Sequence, residues 1–267
     1  MKSVLISGIN GGIGRSVTKK LLEEGYLVIG IDINIDDFPY EEVKLYKADI
    51  TNKKDLLKIK EDIIKNNKLD AIINLTGISK MASLIEGDPY LIVKNHLEVN
   101  LLGMVNINSI FFPLLKKNSI IINFSSECGY LKTMPFNAPY SISKYGVESY
   151  TDSLRRELLY HDIKVVKIAP GSFKTKMHDN AYSAFEDLLK NTKYYYNFLN
   201  HYRKIIDKEM EKSHDPELIG NLISKVLKTN NPKPEYKIKT SKFLRLLELV
   251  PNIIFDKALK RRYDKYR

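Results

Sequence analysis

The chain is poor in the residues that form disulfides and metal sites. It has one cysteine, Cys128, so an internal disulfide is excluded. The histidines stand apart, at positions 96, 161, 178, 201 and 214, without the spacing of a metal-binding motif. We therefore expect no metal site. The scarcity of cysteine also fits a reducing, cytoplasmic location.

Long hydrophobic runs are missing as well. No uninterrupted stretch approaches the ~18 apolar residues of a membrane-spanning helix. The apolar start of the chain is short and leads directly into glycines, so no signal peptide is predicted. Positive charge is in excess, with 43 Lys and Arg against 32 Asp and Glu. A length of 267 residues suits one globular domain with a large core.

The first thirty residues follow a strand, turn and helix pattern. A short apolar run precedes a glycine-rich turn, and helical spacing of apolar residues follows it. Glycines allow a backbone to approach a pyrophosphate, and the helix start offers free N–H groups. The pattern therefore predicts a dinucleotide site. The turn residues that we expect to line it are Gly8, Asn10, Gly12, Ile13 and Gly14.

An acidic residue ends the second predicted strand. Asp32 follows the run from Leu27 to Ile31. A carboxylate at this position can accept hydrogen bonds from both ribose hydroxyls of an adenosine, and it would repel a 2′-phosphate. We therefore predict NAD as the cofactor, with NADP as the less favoured choice. The alternative role for Asp32 is that of a turn or capping residue.

A tyrosine and a lysine lie four residues apart in the middle of the chain. On a helix, Tyr140 and Lys144 would share one face. A nearby cation favours the phenolate, so we expect Lys144 to lower the pKa of Tyr140. A tyrosine tuned in this way can exchange a proton with a carbonyl or alcohol oxygen.

These motifs together resemble the short-chain dehydrogenase/reductase family over about residues 1 to 230. Further segments match the family in the expected order, including Ala48-Asp49-Ile50-Thr51 and Asn74-Leu75-Thr76-Gly77, although the second and third residues of the latter depart from the family pattern. The resemblance implies additional cofactor contacts at Asp49, Ile50, Asn74, Gly77, Pro170, Gly171 and Thr175, beside Tyr140 and Lys144.

The resemblance also implies a catalytic set. Tyr140 would be the general acid/base, and Lys144 would hold the nicotinamide ribose. Ser126 would hydrogen-bond the substrate oxygen, with Ser125 as the alternative serine. Asn100 would hold a water that links Lys144 to solvent. Cys128 lies beside this set, and a catalytic thiol is the alternative use of that position.

Alternating strand and helix patterns predict an α/β fold, a doubly wound parallel sheet with helices on both faces. Strands are expected at 3–7, 27–32, 43–46, 70–74, 119–124, 164–169 and 235–238, and helices at 12–24, 53–66, 90–116, 140–160 and 215–228. Residues 172–214 interrupt this rhythm. In the resembled fold they form helices that cover the substrate. We place the main domain at 1–231 and a basic helical extension, packed on the same domain, at 232–267.

Local sequence around Tyr140 and Pro170 is similar to the retinol and hydroxysteroid dehydrogenase branch of the family. The resemblance therefore implies NAD(H)-dependent interconversion of a hydrophobic secondary alcohol and its ketone. Aromatic residues in the insertion would form the substrate wall, unless they only pack the insertion onto the body. The alternatives are a dinucleotide-binding sensor or assembly protein without turnover, and a 3-oxoacyl-thioester reductase. The family's two long helices imply a homodimer or homotetramer.

The last thirty-six residues are unusually basic. Residues 232–267 contain eleven Lys and Arg and four Asp and Glu, interspersed with leucines and isoleucines. Basic amphipathic helices can lie on anionic membranes, so peripheral membrane contact through 241–267 is one hypothesis. The alternatives are packing across the substrate mouth, packing at a subunit interface, and contact with an acidic carrier. No nucleic-acid-binding module accompanies the charge, so no nucleic acid partner is expected.

Overall fold

The structure is a computed structural model that describes residues 1–65 and 68–266. Seven parallel strands form one sheet in the order β3-β2-β1-β4-β5-β6-β7. They are β1 (Ser3–Ser7), β2 (Leu27–Asp32), β3 (Lys44–Lys47), β4 (Leu69–Asn74), β5 (Leu115–Phe124), β6 (Lys164–Pro170) and β7 (Glu235–Ile238). Strand order reverses between β1 and β4, which creates the crevice where doubly wound sheets bind ligands. The predicted α/β fold is confirmed.

Helices cover both faces of this sheet. They are α1 (Gly12–Glu23), α2 (Lys53–Ile64), α3 (Pro89–Leu97), α4 (Gly103–Phe111), α5 (Ala138–Leu158), α6 (Lys176–Asn191), α7 (Tyr196–Glu211), α8 (Glu217–Lys228), α9 (Lys242–Leu247) and α10 (Asn252–Lys265). Most predicted boundaries agree within two residues. Position 66 of the predicted helix 53–66, and residue 267 of the extension, lie outside the described residues.

The predicted helix 90–116 is a composite element. α3 and α4 are joined by a π-helical turn, Glu98–Leu102, and a short 3-10 turn ends the element at Leu114. The prediction was wrong beyond that point, because β5 already begins at Leu115, four residues before its predicted start. Pro113 cannot donate the backbone hydrogen bond that a longer helix would need.

By length and composition, Pro89–Leu114 could cross a membrane, and no other helix in the described ranges passes that test. Its Asn100, Asn106 and Asn108 are nevertheless buried inside the protein. Each of their side-chain amides donates a hydrogen bond to another protein group. This pattern is that of a core helix of a folded domain.

The sheet separates two apolar clusters. Along β1, Val4 and Ile6 contact one cluster and Leu5 contacts the other, as the alternation of side chains in a strand requires. α1 and α8 close the first cluster, whereas α2, α4 and the end of α5 close the second. Burial on both faces fixes the register of the strands and hence the positions of their carboxyl ends.

A buried amide network lies between the sheet and α4. The side-chain amide of Asn74, the last residue of β4, donates to Asn108 Oδ1 at 2.8 Å and to Asn123 Oδ1 at 2.9 Å. Asn108 also donates to Asn123 Oδ1, at 3.2 Å. Ser7, Tyr150 and Thr151 complete the network through their hydroxyl groups. These hydrogen bonds therefore hold β4, β5, α4 and α5 together near the carboxyl ends of the two strands.

The insertion and the extension contact each other. α6 and α7 are the helices predicted within 172–214. Their buried Phe185, Leu189, Phe198 and Leu199 pack with Phe136. The extension begins with β7, which pairs with β6 as the last strand of the sheet. α10 then returns to α7.

The outer faces of α3, of the π-helical turn that follows it and of α5 are partly apolar. Tyr90, Leu91, Leu102, Ile142 and Tyr145 are exposed there. The homodimer or homotetramer implied by the resemblance stays a prediction, which light scattering would measure.

Candidate active site

The glycine turn packs too tightly for larger residues. Gly8 has φ +75°, and a Cβ on Gly14 would lie 2.3 Å from the Gly8 carbonyl oxygen. A Cβ on Gly12 would lie 2.9 Å from Thr175 Cγ2. The turn and the start of α6 therefore meet, which brings two predicted cofactor segments together. Ile13 follows within the first turn of α1 and packs against the sheet.

Asp32 lies at the carboxyl end of β2, facing the glycine turn. Its carboxylate accepts hydrogen bonds from the backbone N–H of Asn10 at 2.8 Å and of Asn34 at 3.2 Å. Arg15 reaches the same turn, because its Nε donates to Asn10 Oδ1 at 2.9 Å and its Nη2 donates to the Asp37 carbonyl at 2.9 Å. Asn10 is thus held at both of its groups. The Asp32 carboxylate bonds its backbone N–H, and the Arg15 guanidinium bonds its side chain.

The next loop places Asp49 and Ile50 after β3. Asp49 Oδ1 accepts from the backbone N–H and the hydroxyl of Thr51, at 2.8 and 2.9 Å. Ile50 is buried, and its carbonyl accepts from Asn106 Nδ2 at 3.1 Å. A Cβ on Gly103 would lie 2.5 Å from Ile50 Cδ1. α4 therefore holds this loop in place through close contact.

Residues 74–77 lie in two different surroundings, the buried amide network and the neighbourhood of Lys144. The side chain of Asn74 is directed into the buried amide network, so a cofactor can meet only its backbone without breaking that network. Thr76 Oγ1 is buried, and it has no hydrogen-bond partner within the described part of the chain. A Cβ on Gly77 would lie 3.4 Å from Asn100 Oδ1 and 3.7 Å from Lys144 Nζ. This segment therefore links the cofactor crevice to the catalytic set.

The end of β6 forms the other wall. Gly171 N–H donates to the Ile238 carbonyl at 3.0 Å, and a Cβ on Gly171 would lie 2.1 Å from the Lys239 carbonyl oxygen. Thr175 precedes α6, and its hydroxyl does not cap that helix. Pro170 and Gly171 are thus fixed by the last strand, whereas Thr175 remains near Gly12 with its hydroxyl uncommitted to the helix.

Lys144 is buried on α5 beside Tyr140. Its Nζ donates to the Phe124 carbonyl at 3.0 Å and lies 5.7 Å from the centre of the Tyr140 ring. Burial lowers the pKa of Lys144 to about 8. The lysine is therefore poised to change its charge just above neutral pH.

Tyr140 differs from expectation in its protonation. We expected Lys144 to lower the pKa of the phenol, but burial raises that pKa well above its ordinary value, against a weaker lowering by the hydrogen bond with Ser126. The phenol is therefore neutral and can donate a proton at physiological pH. The Lys144 ammonium group donates a hydrogen bond to the Phe124 carbonyl, so its positive charge is directed towards the end of β5.

The structure distinguishes the two adjacent serines. Ser126 lies near enough to Tyr140 to lower the pKa of the phenol, and its Oγ accepts from the backbone N–H of Cys128 at 3.2 Å. Ser125 Oγ is buried under Gly129, where it would lie 2.7 Å from an added Cβ. Of the two serines, Ser126 is therefore the one beside Tyr140. The neighbouring thiol is unsuited to nucleophilic chemistry, because burial raises the pKa of Cys128 to about 11.

Asn100 occupies the π-helical turn, a feature often found at functional sites. Its Oδ1 accepts from Ile78 N–H at 2.7 Å, and its Nδ2 donates to the Ile78 carbonyl at 3.0 Å and to Ser143 Oγ at 2.9 Å. Ser143 in turn donates to the Tyr140 carbonyl at 2.7 Å. Asn100 thus contacts α5 through Ser143, a residue that the sequence motif did not single out.

Most aromatic residues of the insertion pack among themselves. Tyr195 and Phe198 contact Phe136, whereas Tyr194 and Tyr196 are exposed. Met177 is different, because its Cε lies 3.5 Å from the position of a Cβ on Gly77. Only part of the predicted substrate wall therefore faces the catalytic set.

In the described part of the chain, no three His, Cys, Asp or Glu side chains converge in a way that could hold a metal ion. The candidate residues instead follow one another along the carboxyl ends of the strands, from Asp32 after β2, past the glycine turn after β1, to Lys144 and Tyr140 beside the end of β5. Glycine backbone lies in the middle of this row, and a neutral phenol beside a buried lysine lies at its end. Such a row fits an extended dinucleotide whose reactive ring meets a proton donor.

Comparison with known proteins identifies the family to which the chain belongs. A short chain dehydrogenase profile matches residues 2–185. The chain is 30% identical to the 3-ketodihydrosphingosine reductase of Bacteroides thetaiotaomicron, covering 88% of this chain and 87% of that protein. It is 30% identical to the NADPH-dependent 3-dehydrocapnine reductase of Ornithobacterium rhinotracheale, over 96% of this chain and 95% of the relative.

Two further matches widen the range of relatives. Retinol dehydrogenase 7 of Mus musculus is 26% identical, over 97% of this chain and 87% of its own length. A short chain dehydrogenase family structure from Francisella tularensis superposes with a TM-score of 0.74 at 25% identity, covering 90% of this chain and 96% of that one. The chain therefore belongs to the short-chain dehydrogenase/reductase family of nicotinamide-dinucleotide-dependent oxidoreductases, with retinol dehydrogenases among its relatives.

Proposed function

We propose that the protein is an NAD(H)-dependent oxidoreductase that interconverts a hydrophobic secondary alcohol and its ketone. The observation that carries this proposal is the convergence of Ser126, Tyr140 and Lys144 at the carboxyl end of β5. Ser126 lies near enough to Tyr140 to lower the pKa of the phenol, and Lys144 Nζ lies 5.7 Å from the centre of the Tyr140 ring. A protein that only binds a dinucleotide does not need this set.

The chain's own features fit a dinucleotide. The tight glycine turn and the unpartnered Thr76 hydroxyl offer backbone and side-chain groups to a phosphate and a ribose. Gly8, Gly12 and Gly14 would hold the pyrophosphate, and Asp32 the adenosine ribose. Pro170, Gly171 and Thr175 would hold the nicotinamide end. The bound nicotinamide would supply or accept the hydride at the substrate carbon.

The remaining chemistry belongs to side chains. Tyr140, neutral because it is buried, donates its proton to the substrate oxygen in the reductive direction. Ser126 bonds the same oxygen and stabilises its developing negative charge. Lys144 supplies a nearby positive charge when protonated. Asn100 fixes the first turn of α5 through Ser143, which keeps Tyr140 in place.

The cofactor preference is tested at Asp32. The wild type should bind NADH more tightly than NADPH, because the Asp32 carboxylate would repel a 2′-phosphate. Asp32→Ala should weaken NADH binding roughly 10-fold and shift the preference towards NADPH, since charge-assisted hydrogen bonds to the ribose are lost. Titration of intrinsic nicotinamide fluorescence with both cofactors measures the ratio.

Arg15 supplies the opposing control. The relative from Ornithobacterium is NADPH-dependent by name, and the Arg15 guanidinium meets the same turn as Asp32. Arg15→Gln should leave NADH affinity within about threefold if the carboxylate decides the choice. Tighter binding of NADPH than NADH by the wild type, with loss of that binding in Arg15→Gln, would reverse the cofactor assignment.

The pH dependence of the reaction follows from Lys144. Because the pKa of Lys144 is about 8, its positive charge is present below that pH and is lost as pH rises through it. We expect kcat/KM for ketone reduction to fall above about pH 8, and Lys144→Arg to move this fall to higher pH. Initial rates across the pH range measure it. A wild-type profile that stays level through this region would contradict the assigned role.

The substrate class rests on two observations. Met177, in the first turn of α6, places an apolar side chain beside Gly77 and near Lys144. Two relatives are named 3-ketodihydrosphingosine reductase and 3-dehydrocapnine reductase, and others are named retinol dehydrogenase. We therefore propose a lipid-like ketone or alcohol. Nicotinamide absorbance would identify it in a panel of 3-ketosphingoid bases, retinoids, steroids and 3-oxoacyl thioesters.

The panel also decides between the alternatives. Turnover confined to the thioesters would favour the 3-oxoacyl-thioester reductase. Cofactor binding without turnover of any substrate class would favour a sensor or assembly protein.

A further inference from the structure

The extension presents an apolar surface beside a basic one. α9, the turn after it and the start of α10 form an elbow at residues 242–254. Phe243, Leu246 and Leu249 of this elbow are 65%, 62% and 79% exposed, and Ile253 and Ile254 are 65% and 56% exposed. Five large apolar side chains within twelve residues are far more than the scattered ones of an ordinary surface.

The elbow is held by its inner side. Ser241 N–H donates to Glu127 Oε2 at 2.6 Å, and the Lys132 backbone N–H bonds to Glu248. Lys132 Nζ donates to Asn252 Oδ1 at 2.8 Å. The apolar tip is therefore not a loose tail. It is fastened to the loop that begins at the catalytic Ser126.

The far end of α10 is anchored as well. Tyr263 packs on Phe198 of α7 with ring centres 4.4 Å apart, and Tyr266 stacks on His201 at 3.8 Å. These contacts fix which face of α10 is outward. Phe255 and Leu259 face inward with Tyr263, so the outward positions are those spaced from Ile253 by helical turns.

The outward face of α10 changes from apolar to basic along its length. Ile253 is followed at intervals of four residues by Lys257, Arg261 and Lys265, all exposed. With a rise of about 1.5 Å per residue, these cations lie roughly 6, 12 and 18 Å from Ile253 along the helix axis. Residues 241–266 contain seven Lys and Arg against three Asp and Glu, of which Glu248 and Asp264 are already paired.

We propose that the elbow docks on an anionic lipid bilayer, with the apolar tip in the acyl boundary and the basic stripe of α10 at the phosphates. Amphipathic surfaces bury their apolar side about 5–10 Å into this boundary, which matches a tip followed by cations at one-turn spacing. Charge complementarity selects an anionic surface, and exposed aliphatic side chains would gain nothing against the phosphates of a nucleic acid.

Docking would have a consequence for the proposed function. The inner side of the elbow holds the loop that carries Ser126, so the bilayer surface would lie next to the catalytic loop. A lipid-like substrate could then be taken from the membrane rather than from water. The binding test below requires neither cofactor nor substrate, so its outcome is independent of whether the proposed reaction is right.

The test is flotation of the full-length protein with vesicles of phosphatidylcholine alone or mixed with phosphatidylglycerol. Wild type should float with the anionic vesicles and not with the neutral ones, and high salt should weaken the binding. Phe243→Ser/Leu246→Ser/Leu249→Ser should reduce the affinity at least roughly 10-fold. Lys257→Gln/Arg261→Gln/Lys265→Gln should reduce it roughly 10- to 100-fold.

The matched control removes three large, exposed apolar side chains elsewhere. Leu57, Ile64 and Leu159 are 47%, 51% and 66% exposed on α2 and just after α5. Leu57→Ser/Ile64→Ser/Leu159→Ser should float like wild type, and thermal melting should show all three variants folded. The proposal is overturned if wild type does not float with anionic vesicles, or if the elbow and control variants float equally.

Light scattering tests the remaining candidate for the partner of the elbow, which is a second copy of this chain. If wild type fails to bind vesicles and the elbow variant changes an oligomer into a smaller species, a second copy of this chain covers the surface, and the membrane proposal is wrong.

Discussion

Tyr140→Phe should lower the turnover rate by roughly 10³-fold while leaving the affinity for the reduced cofactor nearly unchanged. The substitution removes the phenol oxygen of a side chain that lies beside Ser126 and Lys144. Without the phenol, no group of the set can donate a proton directly to the substrate oxygen. A loss of this size corresponds to about 4 kcal/mol of transition-state stabilisation. Steady-state rates, together with cofactor fluorescence titration, measure the two quantities separately.

Tyr145 provides a matched control for this variant. It is a neighbouring phenol on the same helix, but its hydroxyl donates to the Leu131 carbonyl at 2.8 Å, away from the catalytic set. Tyr145→Phe should keep turnover within about threefold, because only one neutral hydrogen bond is lost. If Tyr140→Phe retains most of its activity, or if both variants lose it equally, the acid/base assignment is wrong.

The order of strands and helices could be predicted because its signals are local. Apolar runs, glycine turns and helical spacing are all read within a few residues, and both faces of the sheet bury alternate side chains of β1 as expected. The predicted helix 90–116 was too long because a contact that is distant in sequence ends it earlier. Leu115 pairs with Leu69 in β4, forty-six positions earlier, and no local pattern reports that pairing.

The predictions for the site divide in the same way, between features set by the local sequence and features set by the fold. Spacing predicted that Tyr140 and Lys144 share a helical face, and they do. The protonation of Tyr140 could not be predicted from spacing, because it depends on burial by the folded chain and on what else Lys144 binds. Ser143 was missed for a similar reason. Its importance comes from Asn100, forty-three residues away.

The buried amides are another feature that only the fold could reveal. Asn74 was predicted as a cofactor contact by resemblance, but its side chain belongs to the network with Asn108 and Asn123. In a sequence, a mid-helix asparagine and a strand asparagine give no sign that they meet. Because these groups are fully buried, each hydrogen bond that is lost leaves a polar atom without water to replace it.

Asn123→Ala should therefore destabilise the protein by about 3 kcal/mol. Its Oδ1 accepts from Asn74 at 2.9 Å and from Asn108 at 3.2 Å, and its Nδ2 donates to Thr151 Oγ1 at 3.1 Å. Three buried hydrogen bonds disappear at once. For a domain of this size, the melting temperature should fall by roughly 6–12 °C. Differential scanning calorimetry measures it.

Two further variants separate the causes of that loss. Asn191→Ala removes an exposed amide that donates to the Asp187 carbonyl at 2.7 Å, and it should change stability by no more than about 0.5 kcal/mol. Asn123→Leu fills the space of the amide but still leaves the donors of Asn74 and Asn108 short of one acceptor. Because unmet polar groups, not a void, are expected to dominate, this variant should melt nearly as low as Asn123→Ala. Recovery of the wild-type melting temperature by leucine would show instead that packing volume matters at this position and that the hydrogen bonds contribute little.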